Sequence, residues 1–355
     1  MVPADADADR GPGGASDPAE LEVLRCCIER TGDPDLQVDD DLWEAGLESL
    51  EAVVLCDMLA QGGWGTLEPG DLVEARTPAR IRALLGRADP PDTTVVTFHV
   101  DGRREPIFAV PPGGGTALTF VRLAAALGSD QPVHVIEPRG MHRPGPIDRT
   151  IDAMADHVQA EIEDRLAPGE RACLLSYSSG APIAHEVAGR FRTGGRDAVL
   201  VMLDAEPICP EPDFRAGPRP VAPAAPSARA RSLVRRLARP GDLARDLRTR
   251  RTRRRTDHAT AALVVDPGPP SLDPRRYRVL LDLTIEAWNR HTPRPTDVPT
   301  LWVRAEDNTG PTPDPTLVRI VETVTAGADH ESVLTPPAVD EIAVAVRRFL
   351  AATRT

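Results

Sequence analysis

The sequence predicts an α/β domain preceded by a small all-α unit. Three observations carry that reading. Apolar residues recur at helical spacing between about 18 and 85, and beyond residue 93 the pattern changes to short apolar strand-like runs alternating with helical stretches. Acidic residues crowd the first part: residues 1–85 hold 19 Asp and Glu against 6 Arg, a larger excess than the net charge of -12 for the whole chain. A chain of 355 residues, 41% apolar and 27% charged, suffices for about two domains of roughly 150 residues with buried cores.

Taken in order, residues 1–16 alternate Ala with Asp and run into Gly and Pro. Such a composition buries too little surface to offset the entropy of ordering, so a disordered tail is expected. Asp17 before Pro18 and Glu20 reads as a helix cap, and Leu21, Leu24 and Ile28 share one face, which gives a first helix over about 18–30. A second helix begins near Ser49 and carries Leu50, Val53, Val54 and Met58, after an acidic loop of Asp39, Asp40 and Asp41 that ends in Gly46. Gly65 and Pro69 are expected to break the chain before Thr77 and Pro78 open a short last helix through Ile81 and Leu85. That closes a three- or four-helix unit over 17–86, and residues 87–93 read as a linker.

The second domain, 94–355, is expected to place strands at 94–100, 105–110, 132–137, 172–177, 198–203 and 300–305, with helices near 118–127, 151–165, 180–191 and 338–352. Between Pro210 and about Pro270 the alternation fails, and residues 214–256 carry 14 Arg against Asp242 and Asp246. Two readings stand for this stretch: a solvated helical insertion, or a cover over the site that attracts an acidic partner by long-range charge. The acidic first domain is one such partner.

The composition also excludes classes. A net charge of -12 with no aromatics interleaved in the Arg-rich stretch beyond Phe214 at its edge argues against a nucleic-acid partner, and against an anionic membrane surface. Cys26, Cys27, Cys56, Cys173 and Cys209 have neither zinc-site spacing nor the even count of a disulfide framework, and no histidine sits with Cys or carboxylates at metal-like spacing, so no metal is expected. The first residues lack a basic leader and an apolar segment, and no run approaches about 18 apolar residues. A cytoplasmic protein is expected.

Chemistry concentrates in the second domain. The apolar strand Ala172 to Leu175 enters Ser176-Tyr177-Ser178-Ser179-Gly180, which approximates the Gly-x-Ser-x-Gly turn that thrusts a serine hydroxyl out between strand and helix. Ser178 is the candidate nucleophile. A serine hydroxyl attacks only when an imidazole takes its proton, and the imidazole needs a carboxylate to fix its tautomer. Asp204 ends the strand 198–203 and His330 precedes the last helix, so serine, acid and histidine fall in the order of α/β-hydrolases. Asp307, after the strand around 301–305, is a rival acid; Asp204 is preferred. Pro111-Pro112-Gly113-Gly114-Gly115 follows the strand 106–110 and reads as an oxyanion loop, with the backbone N–H of Gly113 as one donor and that of Ser179 as the second.

These features together resemble the thioesterase family that ends nonribosomal peptide and polyketide synthases. The residues that carry the resemblance are the strand with Pro-Pro-Gly-Gly, Glu137-Pro138-Arg139-Gly140, the Ser178 turn, Leu203-Asp204 with Pro207 beyond, and Asp329-His330-Glu331-Ser332, over most of 95–353. The resemblance implies an α/β-hydrolase fold with a helical lid at about 210–290, use of Asp204 as the acid, and an acyl-enzyme mechanism. The first domain resembles an acyl or peptidyl carrier protein, a small four-helix bundle, through Asp41-Leu42-Trp43-Glu44-Ala45-Gly46-Leu47-Glu48-Ser49-Leu50. That resemblance implies 4'-phosphopantetheine attached to Ser49, a phosphopantetheinyl transferase as a partner, and upstream synthase modules or carrier proteins as suppliers of an acyl or peptidyl thioester. The expected function is transfer of that group from the Ser49 arm to Ser178 and its release by hydrolysis, cyclisation or transfer. An editing thioesterase acting in trans and a catalytically silent carrier-docking module are the alternatives.

Overall fold

The structure is a computed structural model that describes residues 17–47, 49–65, 67, 69–85, 93–141, 146–205, 208–209, 274–308, 310 and 312–354. The expected tail, most of the linker, Glu48, Pro207, the Arg-rich stretch and the expected lid as far as residue 273 lie outside the described residues. The chain divides into two compact units, Met1–Pro91 and Asp92–Thr355.

The first unit holds four described helices: α1 (Pro18–Thr31), α2 (Ser49–Gln61), α3 (Pro69–Ala75) and α4 (Pro78–Leu84). Asp17 caps α1 by accepting the Ala19 N–H at 3.1 Å, and Gly32 ends it at φ 74°, where a side chain would be strained. Thr77 caps α4 through the Arg80 N–H at 3.3 Å. Helix α3 stands where a break was expected. Proline at a first helical position starts a helix rather than stopping one, because the missing N–H has no intrahelical partner there anyway. Val23, Cys27, Leu55, Leu59, Leu72 and Ile81 form the unit's buried interior.

The second unit is built on a seven-stranded sheet in the order β1-β3-β2-β4-β5-β6-β7. The strands are β1 (Val95–Phe98), β2 (Ile107–Val110), β3 (Val133–Ile136), β4 (Ala172–Tyr177), β5 (Ala198–Leu203), β6 (Thr296–Ala305) and β7 (Val318–Ala326). Only β1 runs antiparallel to its neighbour; the other pairings are parallel. The described helices of this unit are α5 (Val121–Leu127), α6 (Ile151–Glu163), α7 (Ala181–Thr193), α8 (Pro274–Trp288) and α9 (Ala338–Ala352). Parallel strands covered on both faces are apolar throughout, and β5 is buried at all six positions. Strand β7 had no counterpart among the expected strands: it lies at the sheet edge, and seven of its nine residues are only half-buried or exposed.

None of the five cysteines is joined in a disulfide. Burial pushes the thiols of Cys27 and Cys173 up to about 12, which leaves them protonated and unreactive near neutral pH.

Helix α7 packs on β4, β5 and β6, and its approach to the sheet is set at Gly180. A Cβ at Gly180 would stand 2.6 Å from the Pro111 carbonyl oxygen and 2.7 Å from that of Val110. Both are backbone atoms that cannot rotate aside. Gly180→Ala is therefore expected to lower unfolding stability by about 1–3 kcal/mol, read as a fall in the denaturant midpoint; an unchanged midpoint would show that helix and strand are not locked here.

Candidate active site

The carboxyl ends of β2, β4, β5 and β7 meet at one edge of the sheet, where the loops that follow them converge. Strand β4 ends at Tyr177, and Ser178–Gly180 make a single tight turn into α7. Ser178 sits at φ 51°, in the left-handed region that costs a non-glycine residue about 1–3 kcal/mol. The surrounding contacts hold it there. Gly180 allows the close approach to β2, and Ser176, fully buried where the motif has glycine, donates its hydroxyl to the Val201 carbonyl at 3.4 Å. A small polar side chain is thus accommodated with its hydroxyl satisfied.

The Ser178 Oγ lies 3.1 Å from His330 Nε2, and His330 Nδ1 lies 2.6 Å from Asp204 Oδ2. Asp204 is buried at the end of β5. Its other oxygen, Oδ1, accepts the Ala305 N–H at 2.8 Å and the Asn308 side-chain amide at 2.7 Å. Burial alone would raise its pKa, but the bonds from His330, Ala305 and Asn308 outweigh burial and hold the carboxyl below its ordinary value. Asp307, the rival acid, lies exposed on the turn after β6.

Sequence reasoning missed three supports of this line. Ala305 and Asn308 orient the acid from β6 and the loop beyond it. Tyr177 donates its hydroxyl to the His330 carbonyl at 2.5 Å, and its ring stacks on the imidazole with centroids 5.2 Å apart. Burial raises the Tyr177 phenol, so it stays protonated as a donor. The only sequence signal for Tyr177 was its place inside the turn motif.

The glycine run after β2 lies against α8. A Cβ at Gly113 would fall 2.5 Å from the Thr284 side chain, and one at Gly114, which sits at φ 77°, would fall 2.4 Å from the Tyr277 carbonyl oxygen. Only glycine fits at either position. The Gly113 N–H, expected to face a developing oxyanion, donates instead to the buried Ser179 Oγ at 2.9 Å. That hydroxyl stands at the distance an oxyanion would take from the same donor.

Two other described histidines, His134 and His185, serve packing. His134 stacks on Phe108, and burial pushes it down to about 4; His185 Nε2 meets the Leu317 carbonyl at 3.1 Å. Among the described residues no three His, Cys, Asp or Glu side chains group as metal ligands, and no helix is long and apolar enough to cross a membrane. In the first unit, Ser49 is the first residue of α2. The loop before it is tied down by Asp41, which accepts the Trp43 and Glu44 N–H groups and the Arg76 Nε at 2.6 Å.

A serine on a strained strand-to-helix turn, bonded to a histidine that is bonded to a buried carboxylate, defines a serine hydrolase on an α/β sheet. Residues 105–210 match the family model described as "Thioesterase domain". The chain is 28% identical over 177 residues to a dimodular nonribosomal peptide synthase of Bacillus subtilis, covering 49% of this chain and 7% of that protein. It is 30% identical over 179 residues to indigoidine synthase of Dickeya dadantii, covering 50% of this chain and 12% of that protein. With the nonribosomal peptide synthetase btyA of Aspergillus terreus it shares 36% identity over 105 residues, 30% of this chain and 11% of that protein. The chain therefore spans about a tenth of the length of these curated relatives. Its fold is similar to that of a four-domain nonribosomal peptide synthetase solved with AMP and glycine, at a TM-score of 0.53 and 22% identity, covering 98% of this chain and 27% of that one.

Asp204→Asn is expected to lower thioester turnover by at least about 100-fold through loss of the histidine tautomer, while Asp307→Asn leaves it unchanged; equal effects in a thiol-release assay would contradict the geometry. The same carboxylate sets a pH dependence. Because its folded pKa is depressed, ionised Asp204 stabilises the fold above the ordinary Asp value of about 3.9 and ceases to do so as pH falls through the folded value. The Tm gap between wild type and Asp204→Asn should be constant above about pH 5 and shrink progressively below about pH 4.

Proposed function

We propose that the protein releases an acyl or peptidyl group held as a thioester, by way of an ester on Ser178. The observation that carries this reading is the bonded line from Ser178 through His330 to Asp204. His330 Nε2 takes the Ser178 hydroxyl proton as Oγ adds to the thioester carbonyl. The C–S bond then breaks, and the departing sulfur takes that proton from His330. In the second half, water or a nucleophile carried by the substrate gives its proton to His330 and attacks the ester. Ser178 recovers its proton as the acid, macrocycle or transfer product leaves. Asp204 keeps Nδ1 protonated and stabilises the imidazolium in both halves. The oxyanion falls to the N–H of Ser179 and to that of Gly113, which the Ser179 side chain must vacate.

The first unit, in this reading, is an acyl or peptidyl carrier with 4'-phosphopantetheine on Ser49. The residues present fit that group: Ser49 opens a 13-residue helix whose first N–H groups have no intrahelical partner and suit a phosphodiester, and the ion pair of Arg76 with Asp41 braces the loop that leads to it. When attached, the arm supplies the thiol that carries the acyl group. A phosphopantetheinyl transferase loads it, and upstream synthase modules supply the chain; similarity to parts of much longer synthetases supports this placement.

Two measurements test the proposal. Wild type is expected to release thiol from an acyl-N-acetylcysteamine thioester, and Ser178→Ala to lose about 10³-fold or more of that rate; turnover by the variant at the wild-type rate would sink the assignment. Incubation with coenzyme A and a broad phosphopantetheinyl transferase should add one phosphopantetheine by intact mass to wild type and none to Ser49→Ala. No addition to either would remove the carrier role.

A further inference from the structure

Beside the loop that holds Gly113 lies a cavity of roughly 460 Å³, part of it open to solvent. Pro112, Gly113, Ile136, Met154, Ile183 and Leu280 give it apolar walls. Gly113 belongs both to this wall and to the glycine run that bonds to Ser179, and Ile183 stands on α7 five residues beyond Ser178. Through Gly113, whose N–H bonds to the residue after Ser178, the cavity adjoins the loop proposed to hold the oxyanion.

The polar side chains that reach the cavity are already engaged within the protein. Glu137 accepts the Ala117 N–H at 2.6 Å, and Arg139 grips Asp148 through two bonds of 2.8 and 3.0 Å. His157 Nε2 meets the Glu137 carbonyl at 3.3 Å, and burial favours its neutral form. Thr284 spends its hydroxyl on the Leu280 carbonyl at 2.9 Å. A charged substituent entering here would lose its hydration and meet positive and negative groups that already neutralise each other. An apolar one would lose nothing and shed ordered water.

Resting on the proposed thioester-releasing activity, we infer that this cavity receives the α-substituent of the acyl residue joined to the thioester, and that it selects an apolar side chain.

The test uses the full chain and N-acetylated leucyl, glycyl and aspartyl thioesters of N-acetylcysteamine, and reads the ratios of kcat/KM. Wild type is expected to favour leucyl over glycyl and over aspartyl by about tenfold or more, the discrimination an apolar pocket gives for a few methylenes. Met154→Trp and Leu280→Trp, which fill the cavity from different helices, should each bring the leucyl-to-glycyl ratio down toward one. Equal wild-type turnover of all three thioesters would overturn the inference and leave the thioesterase reading standing. So would an undiminished leucyl preference in either filled variant that folds. No turnover of any thioester by wild type would remove the proposed function and this inference together.

Discussion

The buried carboxylate of Asp204 is the constraint on which the rest of the site depends. It joins the end of β5 to the end of β6 through the Ala305 N–H, to the following loop through Asn308, and to the loop after β7 through His330. A carboxylate removed from water is tolerated only when its lone pairs are satisfied, and here both oxygens are. Three chain segments far apart in sequence are thereby held in register. The serine, by contrast, is positioned from the other side, by a strained turn that β4 and α7 jointly enforce.

Much of this was legible from the residues, for physical reasons that differ from place to place. Strands β4 and β5 are covered on both faces, so their unbroken apolar runs announce them, and the serine turn follows directly because strand must give way to helix within three small residues. Strand β7 escaped notice because its alternating, half-exposed Val318–Ala326 lies at an edge with a weak apolar signal. Helix α3 was hidden by Pro69, which in isolation reads as a breaker and in place is a first-turn residue. Asp204 was preferred to Asp307 from the sequence, and the bond to His330 that separates them is a three-dimensional fact that spacing cannot express. The contest for the Gly113 amide was invisible for a similar reason, since it depends on a side-chain rotation of Ser179.

Helix α8 links several of these features. Its Thr284 and Tyr277 press on the glycine run, which explains why that run tolerates no side chain, and its Leu280 closes one wall of the neighbouring cavity. One helix thus shapes both the loop at the reacting carbonyl and the space beside it. A sequence reading assigned this stretch to a covering segment; the packing shows that it also belongs to the floor on which the loop rests.

The grip of Tyr177 on His330 carries a consequence for the energetics of turnover. A histidine on a surface loop samples several rotamers and backbone positions, and each turnover would have to gather it into the one arrangement that reaches the serine. Here the ring is flanked by a stacked aromatic, its Nδ1 is held by Asp204 and its carbonyl is bound to the Tyr177 hydroxyl. The ordering is done during folding, once. Proton transfer then begins from an imidazole already facing its partner, and the barrier need not include the search.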